Sequence, residues 1–187
     1  MNNTGTRTIE TERLILRRFK IEDAEAMYKN WASDKEVTKF LTWPPHSNVE
    51  VTKTILQDWI NNYKNDDFYN WAITLKENED EPIGSISAVD KNEKINMVHI
   101  GYCIGNKWWN SGITSEALKA LIKYFFEEVY VNRVEARHDP NNPNSGKVMM
   151  KCGMKYEGTI RQADLNNQGV CDYSVYGILA KEYLDKK

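Results

Sequence analysis

Apolar positions near the start of the chain change from a short run to helical spacing. Residues 14–16 form an apolar run typical of a strand. Between residues 21 and 31, apolar side chains recur at i, i+3, i+4 and i+7, which predicts one face of a helix: Ala24, Met27, Tyr28 and Trp31. The two prolines that follow, Pro44 and Pro45, exclude regular helix from the next loop.

A second helix is predicted after this proline-containing loop. Ser47 and Glu50 have the S-x-x-E spacing of a capping box, which places the helix start at Ser47. The helix would carry one apolar stripe, formed by Val51, Ile55, Trp59 and Tyr63.

From Trp71 onwards the apolar spacing becomes two, which is typical of strands. Strands are predicted over residues 71–75, 83–89 and 97–104, with an acidic turn at 77–82. Helical spacing returns over 114–126, a strand follows at 131–137, and a shorter helix over 145–152 ends at Gly153. A last strand covers 174–179. Strands and helices mix without strict alternation, so the pattern predicts an α+β, or mixed α/β, fold.

Composition and charge narrow the class of protein. A length of 187 residues, 41% of them hydrophobic, predicts a single domain over residues 1–187. The net charge of −2 gives no electrostatic support for nucleic-acid binding. No apolar stretch approaches the roughly 18 residues needed to span a bilayer, so we expect no membrane partner.

Three cysteines, with no C-x-x-C pair, argue against a disulfide framework and against a cysteine zinc site. No two histidines have metal-ligand spacing, so we expect no metal site. The first 13 residues are polar and contain no signal-peptide run. Together these features predict a cytoplasmic protein.

The segment GNKWWNSGITSE, residues 105–116, joins a predicted strand to a predicted helix. Backbone N–H groups at a helix start have no internal partners, and the helix dipole is positive there. Gly112 lets an anion approach the main chain closely. The segment is therefore either a phosphate or pyrophosphate cradle or an ordinary strand-to-helix turn. Ile113 stands where the P-loop motif requires lysine, and G-x-G-x-x-G is absent.

A second segment, DPNNPNSGKVMMKCGM at residues 139–154, supports the cradle. In this segment Asn142 and Ser145 have N-x-x-S spacing. Ser145 is expected to cap the predicted helix, which ends at Lys151 and Gly153. Together the two segments resemble the GNAT superfamily of acetyltransferases. TERLILRRF, TWPPH and DYSVYGIL also resemble the subgroup that acetylates the N-termini of ribosomal proteins. The resemblance runs from about residue 11 to about residue 183, the expected domain core.

This resemblance implies a central mixed, mostly antiparallel sheet, splayed in the middle near Ile104 and Arg137, with helices on both faces. Acetyl-CoA would lie in the split as cosubstrate. Main-chain groups of residues 102–104 would pair with pantetheine, residues 110–115 would hold the pyrophosphate, and Asn142 would bind pantetheine amides. The implied cofactor-binding residues are Tyr102, Cys103, Ile104, Trp109, Asn110, Ser111, Gly112, Ile113, Thr114, Ser115, Asn142 and Lys151.

The phosphate loop departs from the family pattern [QR]-x-x-G-x-[GA] at two positions. Trp109 stands at the first position, as is familiar in this subgroup, and Thr114 at the last. The Thr114 hydroxyl would either donate to a phosphate or narrow the site.

Two residues are candidates for the proton chemistry. His99 stands where many family members carry glutamate, and it is either the general base or a partly buried structural histidine. Met149 stands where many members carry a tyrosine that protonates the leaving sulfur. Ser145 is therefore the catalytic candidate for that step, and the alternative is a helix cap only.

The expected function is an acetyl-CoA-dependent N-acetyltransferase that acts by direct attack on the thioester, without an acyl-enzyme. Trp43 and Pro44, with Trp31, would line the acceptor side. The first expected acceptor is a protein N-terminal α-amine, such as that of a ribosomal protein. A small amine (a polyamine or antibiotic) and a non-catalytic CoA-binding module remain alternatives, and the chain is expected to be a monomer or homodimer.

Overall fold

Eight β-strands form one open sheet in the computed structural model, which describes residues 1–185. In spatial order the strands run β1-β2-β3-β4-β5-β6-β8-β7. Only β5 and β6 pair in parallel among these strands, and the other neighbours are antiparallel. The prediction of a mixed, mostly antiparallel sheet is confirmed. The strands are β1 (Ile9–Glu10), β2 (Leu14–Arg17), β3 (Asn70–Leu75), β4 (Asn78–Asn92), β5 (Met97–Ile104), β6 (Arg133–His138), β7 (Lys155–Asn166) and β8 (Gly169–Leu179).

Helices cover both faces of this sheet. They are α1 (Ala24–Met27), α2 (Lys35–Thr38), α3 (Val49–Asn62), α4 (Ile113–Glu127), α5 (Pro143–Lys151) and α6 (Ala180–Leu184). A 3-10 turn at Ile21–Asp23 and a π-helical turn at Tyr28–Ala32 extend α1 at both ends, so the predicted helical segment is present but irregular. Another 3-10 turn, Asn106–Trp108, follows β5.

Alternation along β5 assigns its side chains to two separate cores. Val98, Ile100 and Ile104 pack into the larger core beneath α4 and α5. Cys103 packs on the other side, against the core formed with α1 and α3. Since successive side chains of a strand point to opposite faces, His99 and Gly101 lie on the α1–α3 side.

The sheet is split where β5 and β6 separate. Their parallel register ends at the pair His99 and Glu135. Beyond it β5 continues to Ile104 and β6 to His138 without pairing to each other. Main-chain groups on the facing edge of β5 are thereby left for a ligand, as the predicted split near Ile104 and Arg137 requires.

The N-terminal caps of helices α3 and α5 differ from the predicted ones. The N-cap of α3 is Asn48, not Ser47, and its Oδ1 accepts from the backbone N–H of Val51 at 3.1 Å. The inward stripe of α3 is correspondingly rotated: Thr52 and Leu56 are fully buried, whereas the predicted stripe residues Val51 and Ile55 are exposed.

The predicted cap of α5 is also wrong, because Pro143 opens the helix. Proline suits the first helical position, since its fixed φ is helical and its missing N–H would have no partner there. Asn142 is therefore the N-cap, and Ser145 is the third residue of the helix. This removes the cap-only alternative for Ser145.

The remaining differences concern strands. The predicted acidic turn at 77–82 is mostly the start of β4, because Asn78 already pairs with Leu75. Strands β1 and β7 were not predicted. Nearly every side chain of β7 is exposed, so its sequence lacks the alternating apolar signal on which a strand prediction depends.

Candidate active site

The turn before α4 has the backbone geometry of an anion cradle. Gly112 is the N-cap in a left-handed conformation (φ 80°), and Asn110 is also left-handed (φ 59°). No side chain caps the helix, and its first backbone bond runs from Glu116 N–H to Gly112 C=O. The N–H groups of Ile113, Thr114 and Ser115 therefore have no intrahelical acceptor. A Cβ built on Gly112 would meet only Arg13 Nη2, at 3.5 Å, so the space in front of it is open.

Helix α5 approaches the same turn from the other strand of the split. The Cys152 thiol donates to the carbonyl of Ser115 at 3.3 Å, which joins the end of α5 to the start of α4. Lys151, beside Cys152, is exposed at this end. Asn142 lies at the opposite end, and its side chain does not cap the helix. Its amide is thus available to a ligand.

The edge of β5 places Tyr102 and Ser145 in direct contact. The Tyr102 hydroxyl lies 3.0 Å from Ser145 Oγ and donates to the Ser145 carbonyl at 3.1 Å. Burial raises the pKa of the Tyr102 phenol, which keeps it protonated. Nearby, the Trp109 indole N–H donates to the Ile104 carbonyl at 3.0 Å, so Trp109 supports the strand end. Ser145 is held at the split by Tyr102 rather than used to cap a helix.

On the opposite side of the sheet, His99 is half-buried beside charged neighbours on β6. Burial lowers its pKa, and the charge of Arg137 lowers it further, against weaker opposing effects of Glu135 and Asp90. His99 is therefore neutral at pH 7 and has a lone pair that can accept a proton.

Glu135, the carboxylate nearest in register to His99, is already engaged. Its oxygens accept from Arg133 Nη2 and from Arg137 Nε, each at 2.8 Å. Burial alone would raise the pKa of Glu135, but these hydrogen bonds outweigh it and lower the pKa. Because the carboxylate is ionised and saturated with guanidinium donors, it is a poor general base. Sequence reasoning missed this Arg–Glu–Arg arrangement on one face of β6.

The proline-containing loop, which the sequence predicts to line the acceptor side, is tied to the β7–β8 turn. The Asn167 amide Nδ2 donates to the carbonyls of Trp43 at 2.7 Å and Thr38 at 2.8 Å. Its backbone N–H donates to the Leu41 carbonyl at 3.1 Å. Trp43 is half-buried and Pro44 exposed, so both are open to a ligand.

Trp31 does not line a surface open to a ligand with Trp43 and Pro44, contrary to the prediction. It is fully buried and packs on Phe19, with ring centroids 6.4 Å apart. The π-helical turn that contains Trp31 directs it into the core.

The cysteines give no sign of a covalent intermediate. All three are free thiols. Burial raises the pKa of Cys103, so this thiol on β5 stays protonated and is a poor nucleophile. Within residues 1–185, no group of three His, Cys, Asp or Glu side chains is arranged to hold a metal ion. In the same part of the chain, no helix combines the length and apolar character needed to cross a membrane.

Comparison with known proteins gives a consistent result. The family profile described as "Acetyltransferase (GNAT) domain" matches residues 13–155. Uncharacterized N-acetyltransferase p20 of Bacillus licheniformis is 33% identical over 177 residues, covering 94% of this chain and 98% of p20. The crystal structure of a GNAT-family acetyltransferase from Bacillus anthracis superimposes with a TM-score of 0.82 at 29% identity, covering 94% of this chain and 100% of that one. The ribosomal-protein-serine acetyltransferase of Escherichia coli (strain K12) is 33% identical over 99 residues, covering 52% of this chain and 55% of that one.

Proposed function

Because the chain belongs to the GNAT family of acetyltransferases and uses acetyl-CoA, we propose that its acceptor is the N-terminal α-amine of a protein, such as a ribosomal protein. The observation that carries this proposal is that Glu135, the carboxylate paired in register with His99, is engaged by two arginines, which leaves His99 as the candidate base. His99 is a weak, neutral base, and Glu135 is held by Arg133 and Arg137.

A weak base suits an amine that is already partly neutral. An α-amine with a pKa of about 7.7–8.0 is roughly one-tenth neutral at pH 7, whereas a lysine with a pKa near 10.4 is less than about one-thousandth neutral. An α-amine therefore needs about a hundredfold less help from the enzyme in losing its proton. The similarity to the E. coli ribosomal-protein-serine acetyltransferase, limited to about half of each chain, supports the same choice.

In the proposed mechanism, the cradle at residues 110–115 holds the pyrophosphate, and Asn142 and the free edge of β5 hold pantetheine. The thioester then lies where β5 and β6 separate. The amine nitrogen attacks the carbonyl carbon, the C–N bond forms, and the C–S bond breaks with its electron pair on sulfur. His99 accepts the ammonium proton, directly or through water.

Ser145 donates the proton that the departing thiolate requires, and the second proton that the nitrogen loses as the amide forms passes through water to restore the serine hydroxyl. Tyr102 supports this step, because its hydroxyl lies within hydrogen-bond distance of both the Ser145 carbonyl and Ser145 Oγ and can turn its proton from the carbonyl to Oγ as the serine proton leaves. A buried, protonated phenol is the form needed for this support. Both groups lie on the α5 side of the split, whereas His99 lies on the other side.

A polyamine is the second candidate acceptor, favoured by the carboxylates of Asp90 and Asp164 that act on His99. Acetyl-CoA turnover, followed as thiol release, separates the two. The panel contains peptides with free N-terminal serine or alanine, the same peptides with a blocked N-terminus and one lysine, and spermidine. We expect turnover with the free α-amine peptides. Turnover confined to lysine or spermidine would show the acceptor assignment to be wrong.

A further inference from the structure

Arg13, in the turn between β1 and β2, reaches the pyrophosphate cradle from a distant part of the chain. Its Nη1 donates to the carbonyl of Ser111 at 3.1 Å. Its Nη2 is the atom nearest to the space that a side chain at Gly112 would occupy. The side chain is 45% exposed, so the guanidinium is on the open side of the cradle.

Glu116, in the first turn of α4, fixes the orientation of this guanidinium. One carboxylate oxygen accepts from Thr11 Oγ1 at 2.6 Å and from the Arg13 backbone N–H at 2.9 Å. The other accepts from Arg13 Nε at 2.7 Å. Among residues 1–185, no protein atom accepts a hydrogen bond from Nη2, which therefore points a free donor at the open space.

We infer that Arg13 is a binding residue for acetyl-CoA, donating through Nη2 to the pyrophosphate held at residues 110–115. This inference rests on the placement of the pyrophosphate given under the proposed function. The helix start supplies N–H donors but only about half a positive charge, which offsets only part of the negative charge of a pyrophosphate. A guanidinium adds a full charge and a charge-assisted hydrogen bond in a fixed plane.

A purely structural role predicts different behaviour. If Arg13 and Glu116 only clamp the β1–β2 turn to the cradle, removing either partner loosens the same clamp. If Arg13 binds the phosphate, Glu116 holds it in place but also cancels part of its charge. Neutralising Arg13 should then weaken binding, whereas neutralising Glu116 should not.

The test is calorimetric affinity for acetyl-CoA in Arg13→Gln, Glu116→Gln and Arg13→Lys. We expect Arg13→Gln to weaken binding about tenfold, the effect of one lost charge-assisted contact. Arg13→Lys should recover part of the loss, and Glu116→Gln should bind as tightly as the native chain or more tightly. Arg7→Gln is the matched control, because it removes the same charge from an exposed arginine near Tyr124, about 16 Å along α4 from the cradle.

Two further arms make each outcome decisive. S-acetyl-pantetheine lacks the pyrophosphate, so Arg13→Gln should leave its affinity unchanged. Equal weakening of acetyl-CoA binding by Arg13→Gln and Glu116→Gln would establish the clamp and overturn the inference, as would native affinity in Arg13→Gln. Gly112→Asp tests the cradle itself. If this variant binds acetyl-CoA normally, the pyrophosphate placement is wrong. If Gly112→Asp binds weakly and Arg13→Gln binds as tightly as the native chain, the placement stands and only the binding role of Arg13 is excluded.

Discussion

The proposed cradle before α4 and the proposed acceptor side of the split are built from different kinds of groups. In the cradle the proposed binding atoms are backbone N–H groups, positioned by two left-handed residues, Asn110 and Gly112. On the acceptor side the proposed groups are side chains from separate elements, including His99 on β5 and Trp43 in the proline-containing loop. A backbone site depends on conformation, and a side-chain site depends on which residues the fold brings together. Substitutions in the two regions should therefore affect different steps.

The largest effect is expected at Gly112. Gly112→Asp puts a carboxylate beside the pyrophosphate and forces a non-glycine residue into the left-handed region, which costs about 1–2 kcal/mol. We expect affinity for acetyl-CoA to fall at least ~100-fold, measured by calorimetry. Gly169→Asp is the matched control, because Gly169, at the start of β8, also has positive φ (106°) but no atom within 4 Å of a built Cβ. Equal loss in both variants would attribute the effect to backbone strain alone.

Ser145 should show the next largest effect, on turnover rather than on binding. Ser145→Ala removes the proposed donor to the thiolate, and we expect kcat to fall about 100-fold, a typical size for general acid catalysis. Acetyl-CoA affinity should be unchanged, because the cradle is intact. Asn144→Ala alters the neighbouring exposed residue of α5 and should keep native kcat. Native turnover in folded Ser145→Ala would assign the proton to water or to Tyr102.

The acceptor side should respond to Asn167 without any change in acetyl-CoA affinity. Asn167→Ala removes the side-chain bonds to the Trp43 carbonyl in the proline-containing loop and to the Thr38 carbonyl at the end of α2. Each bond contributes about 0.5–1.5 kcal/mol, so the loop loses its fixed position and KM for the acceptor should rise about tenfold. Gln168→Ala, in the same turn, is the control and should keep the native KM. A parallel loss of acetyl-CoA affinity would contradict the separation of the two sides.

The same contrast explains what the sequence could predict. The Gly112 turn depends on neighbouring residues and a strand-to-helix pattern, so its location could be predicted locally. Arg13 and Asn167 act on partners 98 and 124 residues away, and their local sequence does not show which residues they contact. Trp31 shows the opposite error, because an aromatic residue on a helix can face either a groove or the core. Only the packing against Phe19 decides between them.

The smallest expected effect concerns the protonation of His99, and it tests whether the charges on β6 act on the acceptor side. Arg137 lowers the pKa of His99 after burial, whereas Glu135, Asp90 and Asp164 act in the opposite direction. Arg137→Gln removes one positive charge near the imidazole, which makes the imidazolium easier to form, so the His99 pKa should rise towards 6.5. NMR titration of the histidine ring protons measures this directly, with His99→Ala to assign the signal. Arg161→Gln, on the exposed strand β7, removes the same charge and should leave the titration in place. No change in the His99 pKa in Arg137→Gln would mean that burial alone sets the protonation of His99 and that the arginines of β6 serve only to hold Glu135, whereas a fall would contradict the direction of the Arg137 effect.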